Sequence, residues 1–264
     1  MEQHSPVQPG LDTPAALLRF LDRLLLRSTL GASAQQTIRH LPGRIVTLGR
    51  DQDFAGPGAR PSYAHLVISG LVARWGEASD GQRQITAFHI PGDMPDLQSL
   101  VLPDMMFGLQ ALVPTAVLRV PHEALRAAAA DTEIAEAFWR DCAADAAIAN
   151  EWVVNVGRRK ARPRIAHLVC EIATRVGAAN GENKFSFHLP VTQNQIGSAT
   201  GLSTVHVNRS LQELKKGGLA LLGGAEARVL DWSGLQDAAG FDPAYLYIGP
   251  STHQPPAHQP ATPQ

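Results

Sequence analysis

The side chains best suited to chemistry lie in one run, Gly201-Leu-Ser-Thr-Val-His-Val-Asn-Arg-Ser-Leu-Gln. Val205, Asn208, Arg209 and Gln212 are spaced to share one face of a helix, with Thr204 beside them, while Val207, Leu211 and Leu214 form the opposite, apolar seam. A guanidinium fork can take both acceptors of a guanine, and a branched methyl side chain can meet a thymine methyl. The spacing therefore predicts that Thr204, Val205 and Arg209, near the start of the helix, contact base edges in a major groove. Thr192, Gln193, Ser203, His206 and Asn208 are placed to bond phosphates and fix orientation. The plain alternative is a helical hairpin with a solvated outer face.

Such a helix must be held out by other elements. Thr192 and Gln195 have capping-box spacing for a preceding helix, and Gly201 falls where the chain turns the corner. Leu202 plugs that corner and Ser203 caps the second helix. A strand at Phe185–Leu189 precedes the pair, and Leu219–Leu222 and Ala227–Leu230 flank Gly223-Gly224 as a hairpin wing. Charge agrees: between Gly157 and Leu230 eleven Lys and Arg face four Glu, an excess of seven in a chain whose overall charge is −1. A basic unit inside a near-neutral chain suits a polyanionic partner, double-stranded DNA, with the remainder serving another purpose.

The remainder reads as three further parts. Residues 1–40 carry a helix from Thr13 to about Arg27, with Asp12 or Thr13 as cap and Leu17, Leu21, Leu24 and Leu25 on its apolar face. Residues 41–120 hold short strands at Arg44–Leu48, His65–Ile68, Leu71–Trp75, Gln84–His89 and Ala116–Val120, parted by turn signals such as Asp80-Gly81 and Pro91-Gly92. These predict a β-roll, barrel or sandwich. Residues 121–157 contain no Gly or Pro between Pro121 and Gly157 and read as one long helix. Ile134, Phe138, Cys142, Ala146, Ile148, Trp152 and Val156 form its apolar stripe, expected to pair with a second copy of the chain, with packing on its own β domain as the alternative. Residues 158–249 make the winged unit. The Pro-, Gln- and His-rich 250–264 is expected to be a disordered tail.

In 264 residues, 44% hydrophobic and 18% charged side chains are incompatible with a wholly disordered chain. Two cysteines make neither a disulfide scaffold nor a four-cysteine metal site, and no run of about 18 apolar residues could span a membrane. The N-terminus lacks the basic-then-apolar order of a signal peptide, so a cytoplasmic location is expected. Cys142 and Cys170 fall in helical apolar patterns and read as packing residues. His65 and His89 are isolated on strands without the partners a cupin-like metal site needs. No phosphate loop, nucleophile elbow or zinc-protease pattern occurs, so no enzyme is expected. A small-molecule sensor acting through protein contacts and a cupin-like metalloprotein are the competing readings.

The sequence resembles the Crp/Fnr family of bacterial transcription regulators. Leu189-Pro-Val-Thr-Gln, Ile196-Gly and Gly201 through Gln212 carry the resemblance most strongly; His65-Leu-Val-Ile-Ser-Gly-Leu-Val, Asp80-Gly-Gln-Arg-Gln-Ile and Pro91-Gly-Asp extend it over about residues 35–247. It implies an α+β chain with a cyclic-nucleotide-binding-like β-roll, a long dimerisation helix and a C-terminal winged helix-turn-helix. It also implies a homodimer on a two-fold symmetric operator that recruits or blocks RNA polymerase. The ligand motifs depart from the family pattern. The Gly-Glu pair and the Arg-Ser/Thr-Ala phosphate segment of nucleotide-binding members are replaced by Met94-Pro-Asp-Leu and Met105-Met-Phe-Gly. A buried cyclic phosphate would lack a counter-charge, so cyclic AMP is not expected in the usual mode. Residues 1–141 contain no cysteine, so the N-terminal iron–sulfur site of oxygen-sensing members is absent. Met105, Met106 and Phe107 are expected to fill the roll; the alternative is an apolar site for an unknown effector around Asp96, Met106 and Phe107.

Overall fold

The computed structural model describes residues 12–102 and 104–249. Helices α1 (Thr13–Leu25) and α2 (Ala32–Arg39) open the chain, and the Asp12 carboxylate caps α1 by accepting from the Ala15 amide. Leu17, Phe20, Leu21 and Leu24 of α1 are buried with Ile38 of α2 against Leu66 and Leu118. Helix α1 is thus part of the β-domain core. The second helix, α2, was not anticipated from sequence.

Seven strands form the roll: β1 (Arg44–Leu48), β2 (Gln52–Ala55), β3 (Tyr63–Ser69), β4 (Val72–Glu77), β5 (Arg83–His89), β6 (Gly108–Ala111) and β7 (Thr115–Pro121). One sheet runs β1-β7-β3 and the other β2-β6-β4-β5. Every pairing is antiparallel, with Ile45 opposite Leu118 and Val72 opposite both His89 and Ala111. Five of these strands match the expected segments to within two residues at either end. The short β2 and β6 were missed, because Gln52-Asp-Phe-Ala and Gly108-Leu-Gln-Ala lack β-branched residues.

The stretch expected as one long helix is two. Helix α3 (His122–Ala128) ends in a turn at Ala129–Ala130, and α4 (Thr132–Arg158) begins anew, the Asp131 carboxylate accepting from the Glu133 amide. Asp131 was the available signal: a short acceptor before a helical run supplies a new N-cap at little cost. The winged unit follows with α5 (Ala161–Arg175), β8 (Phe185–His188), α6 (Gln193–Thr200), α7 (Thr204–Lys216), β9 (Ala220–Gly223), β10 (Glu226–Val229) and α8 (Trp232–Ala239). Its sheet order is β8-β10-β9. A 3-10 turn, Pro243–Leu246, closes the described chain. The expected tail, 250–264, lies outside the described residues, as does the segment 1–11.

The winged unit does not hang free. Its core is continuous with Phe88 and Ile85 of β5 and Trp152 of α4, and the Phe88 and Trp152 rings meet edge to face at 5.7 Å. Among the described residues no helix is long and apolar enough to cross a membrane.

Candidate nucleic-acid interface

Each turn of the helix pair has a local cause. The Thr192 amide donates to the Gln195 side chain at 2.9 Å and the Gln195 amide to the Thr192 hydroxyl at 3.2 Å, which completes the predicted capping box. Gly201 ends α6 at φ 63°, a left-handed conformation that favours glycine. A Cβ on Gly197 would stand 2.6 Å from the Leu202 carbonyl oxygen, so only glycine lets the corner close onto α6. Ser203 caps α7, its hydroxyl accepting from the His206 amide. Val207, Leu211 and Leu214 are buried as the seam requires, joined by Ile196 and Ala199 of α6.

That seam leaves the opposite face of α7 in solvent. Thr204, Val205, His206, Asn208 and Arg209 are all exposed. The Arg209 side chain is 78% exposed, and its Nε contacts the Glu213 carboxylate at 3.1 Å, one turn on. An exposed pair of this kind holds the guanidinium weakly and leaves its outer nitrogens free to engage a base. The structure therefore groups the three expected base readers on one accessible surface. It also ties several expected phosphate contacts to one another: the Ser203 hydroxyl lies 2.9 Å from His206 Nδ1, and the Asn208 amide donates to Gln193 at 3.5 Å. Thr192 is exposed at the start of α6, with hydroxyl and amide both engaged in its capping box.

Two neighbouring surfaces were not placed by sequence reasoning. A groove of about 410 Å³ beside α7 is lined by Lys160, Arg162, His206, Arg209 and Glu213, which brings the start of α5 alongside the exposed face of α7. The run Arg158-Arg-Lys-Ala-Arg entered the charge count but carried no sign of where it would fold. On the wing side, Gln193, Gln212, Lys215 and Arg228 line a second groove. Arg164 braces the frame by donating to the carbonyls of Thr200 at 2.6 Å and Arg159 at 2.8 Å.

The expected dimer stripe is corrected. Ile134, Phe138, Ile148 and Trp152 are buried within the chain's own cores, Cys142 packs partly buried beside them, and Val156 is half-buried near the corner, where a Cβ on Gly201 would stand 3.4 Å from it. Those side chains are already in use. Of the expected stripe only Ala146 is exposed, and the exposed line of α4 runs Trp139, Ala143, Ala146, Asn150, Val153 and Gly157, at alternating steps of four and three. Trp139 is 67% exposed and Val153 72%, each too apolar to be at ease in water. The stripe was legible as a heptad, but the greasier neighbouring stripe drew the assignment.

The expected effector residues do not form one pocket either. Met106 is 81% exposed on the outside, whereas its neighbour Met105 is buried. Asp96 is fully buried, accepting from the His65 backbone amide at 2.8 Å and paired with His65 Nδ1 at 2.7 Å. Phe107 lies under the Arg74 guanidinium at 4.7 Å. A cation thus reaches the roll interior from β4, where the sequence suggested none. Arg74 is already committed, to the Asp145 carboxylate at 2.7 Å and the Pro95 carbonyl at 2.8 Å.

The joint between roll and winged unit is built from buried charge. Arg175 donates to the Phe88 carbonyl at 2.9 Å and pairs with Asp93 and Glu171, while Arg23 approaches Asp93 at 3.1 Å. Burial alone would raise the Asp93 carboxyl, yet Arg23 and Arg175 hold it well below the usual carboxylate range. Burial pushes His89 down to about 3, with Arg74 adding to the effect. Burial also raises both thiols, Cys142 to about 12, which fits packing residues. Among the described residues no group of three or more His, Cys, Asp or Glu side chains is arranged to hold a metal.

Comparison with known proteins follows the same division. Residues 46–132 match the cyclic nucleotide-binding domain family and residues 163–238 the Crp-like helix-turn-helix domain family. The chain is 27% identical over 221 residues to the transcriptional activator protein FnrA of Stutzerimonas stutzeri, covering 83% of this chain and 90% of that one. It is 27% identical over 196 residues to the nitrogen fixation regulation protein FixK of Azorhizobium caulinodans, covering 71% and 77%. The solved structure of FixK2 from Bradyrhizobium japonicum superposes with a TM-score of 0.66 at 27% identity, over 75% of this chain and 98% of that one. With its roll, long helix and winged helix-turn-helix in that order, the chain belongs to the Crp/Fnr family of DNA-binding transcription regulators.

Proposed function

We propose that the chain acts as a cytoplasmic homodimer that reads a two-fold symmetric operator and influences transcription through RNA polymerase, as a regulator and not an enzyme. Thr204, Val205 and Arg209 meet base edges; Gln193, Ser203, His206, Asn208, Lys160 and Arg162 face phosphates. The observation that carries this reading is the free face of α7 above a fully buried seam, in a unit with seven excess positive charges. Those cations displace counter-ions from phosphates, so affinity falls steeply with salt.

The two copies meet along Trp139, Ala143, Ala146, Asn150 and Val153. Small side chains let two α4 helices approach, Trp139 and Val153 supply apolar area, and Asn150 fixes the register as a polar residue in such a seam does. Cyclic AMP is not the effector in the usual mode. Arg74, whose guanidinium lies over the Phe107 ring, would have to leave Asp145 to meet a phosphate, and Asp145 would then be stranded half-buried.

Sedimentation of wild type and of Val153→Glu tests the arrangement. Wild type should sediment as a dimer and protect a symmetric site, and the variant should be a folded monomer that protects none. A variant that remains dimeric would place the interface elsewhere.

A further inference from the structure

A cavity of about 520 Å³ lies between the roll and the winged unit. The roll contributes the turn Ser69-Gly70-Leu71 and the Ile90-Pro91 step; the winged unit contributes the end of α5 and the close of β8. Leu71, Ile90, Ile172, Phe187 and Leu189 line its depth, all buried, so its interior is apolar. Its size falls within the roughly 300–1,000 Å³ of small-molecule sites, which favour the boundary between domains. The charged groups are one-sided: Arg19, Arg175 and His188 line the cavity, and no acidic side chain does. Arg175 is already committed to Asp93 and Glu171. Arg19 is not. It begins a row with Arg23 and Arg27, four residues apart along α1 and just past its end. Arg23 pairs with Asp93 and Arg27 with Asp141, whereas the exposed Arg19 meets no carboxylate among the described residues and donates to the Ile68 carbonyl at 2.9 Å. That bond uses one of the five N–H groups of its guanidinium. A Cβ on Gly92 would stand 3.2 Å from the Arg19 carbonyl oxygen, so glycine there lets α1 sit close on the Pro91-Gly92 turn and brings Arg19 to the cavity.

We infer that this cleft is a binding site for an amphipathic carboxylate, an acid whose apolar body of about ten carbons fills the cavity and whose head group pairs with Arg19. The bound acid supplies the anion that the arginine row lacks at its first member. An alcohol of the same length gains the apolar contacts and forfeits the ion pair; a cationic amphiphile is repelled by the two arginines. Because both units line the cleft, the acid fastens the roll to the winged unit beside the Arg175 joint, and its binding energy counts toward that docked arrangement. The site shares no residue with the Asp96, Met106 and Phe107 region of the roll, and the assignment does not depend on DNA reading by α7.

The test separates the head group from the tail. Full-length protein is titrated calorimetrically with decanoate, decanol and decyltrimethylammonium at neutral pH, each below the concentration at which it forms micelles. Wild type should bind decanoate at one site per chain, about ten-fold more tightly than decanol, the order of a hydrogen bond to a charged partner, and should bind the cation more weakly still. Arg19→Gln, at an exposed position, should bring decanoate down to the level of decanol and leave decanol unchanged. Val176→Trp places a large ring at the half-exposed rim and should weaken decanoate and decanol alike. Absence of decanoate binding to wild type, or equal affinity for decanoate and decanol, overturns the assignment. Decanoate affinity that survives either substitution overturns it as well, because the acid then binds elsewhere.

Discussion

Two arginines of the winged unit show two kinds of construction. Arg209 is 78% exposed and touches one carboxylate four residues away. Arg175 is 3% exposed and is held by Glu171 on its own helix and by Asp93 and the Phe88 carbonyl, 82 and 87 residues away. The first is a tool left in solvent, cheap to remove and free to change partner. The second joins two domains, and removing it leaves two buried carboxylates short of a cation. DNA recognition is thus built from local helix geometry, and the path from roll to DNA-reading helix from long-range buried polar contacts.

Arg175→Met leaves the buried Glu171 without its paired cation and Asp93 with Arg23 alone, and should cost about 3–5 kcal/mol in denaturant unfolding. A loss below about 1 kcal/mol would mean that the joint is wetter than it looks. Arg209→Ala should leave the unfolding midpoint unchanged and remove about 1–3 kcal/mol of discrimination at one base pair per half-site. Gly197→Ala sits between the two: its methyl must push back the Leu202 carbonyl, so stability should fall by about 1–3 kcal/mol and operator affinity should fall with it. An unchanged midpoint would show that the corner can give.

Acid sharpens the same contrast. His89 is held neutral, with its folded value near 3 against an ordinary value of 6.5, so below pH 6.5 the unfolded chain takes up a proton that the folded chain refuses. This contribution is absent above pH 6.5 and grows against the fold as pH falls toward 3, reaching about 2 kcal/mol by pH 5. His89→Gln should flatten that part of the stability profile, measured by denaturation from pH 7 to 5. The smallest effect is expected at Lys215, in the wing-side groove. Its change to Ala should leave stability untouched and reduce the salt dependence of DNA binding by about one counter-ion.

Sequence legibility divides along the same line. The capping box at Thr192, the turn at Gly201, the cap at Ser203 and the seam Val207–Leu211–Leu214 could be read directly, because each depends on residues three or four apart. Strands with Val, Ile and Phe were legible because composition and two-residue alternation are also local signals. The partners of Arg74, Arg175 and Asp96 were not, since Asp145, Asp93 and His65 come near only after the chain has folded. The α4 stripe failed differently. Two stripes ran along one helix, and the more apolar one was needed at home, which left the milder Trp139–Val153 line outside. Met105 and Met106 illustrate the finest limit: adjacent residues of one type, one buried and one in solvent.

The central claim is that an exposed α7, presented twice by a symmetric pair, reads duplex DNA. Selection from random duplexes, followed by binding of wild type and Arg209→Ala across a salt series, tests it most directly. The account predicts a palindromic motif with half-sites about 34 Å apart, affinity that drops steeply with salt, and a variant that has lost its preference at one base pair in each half. An unstructured pool, or a variant that binds the selected site as tightly as wild type, would contradict it.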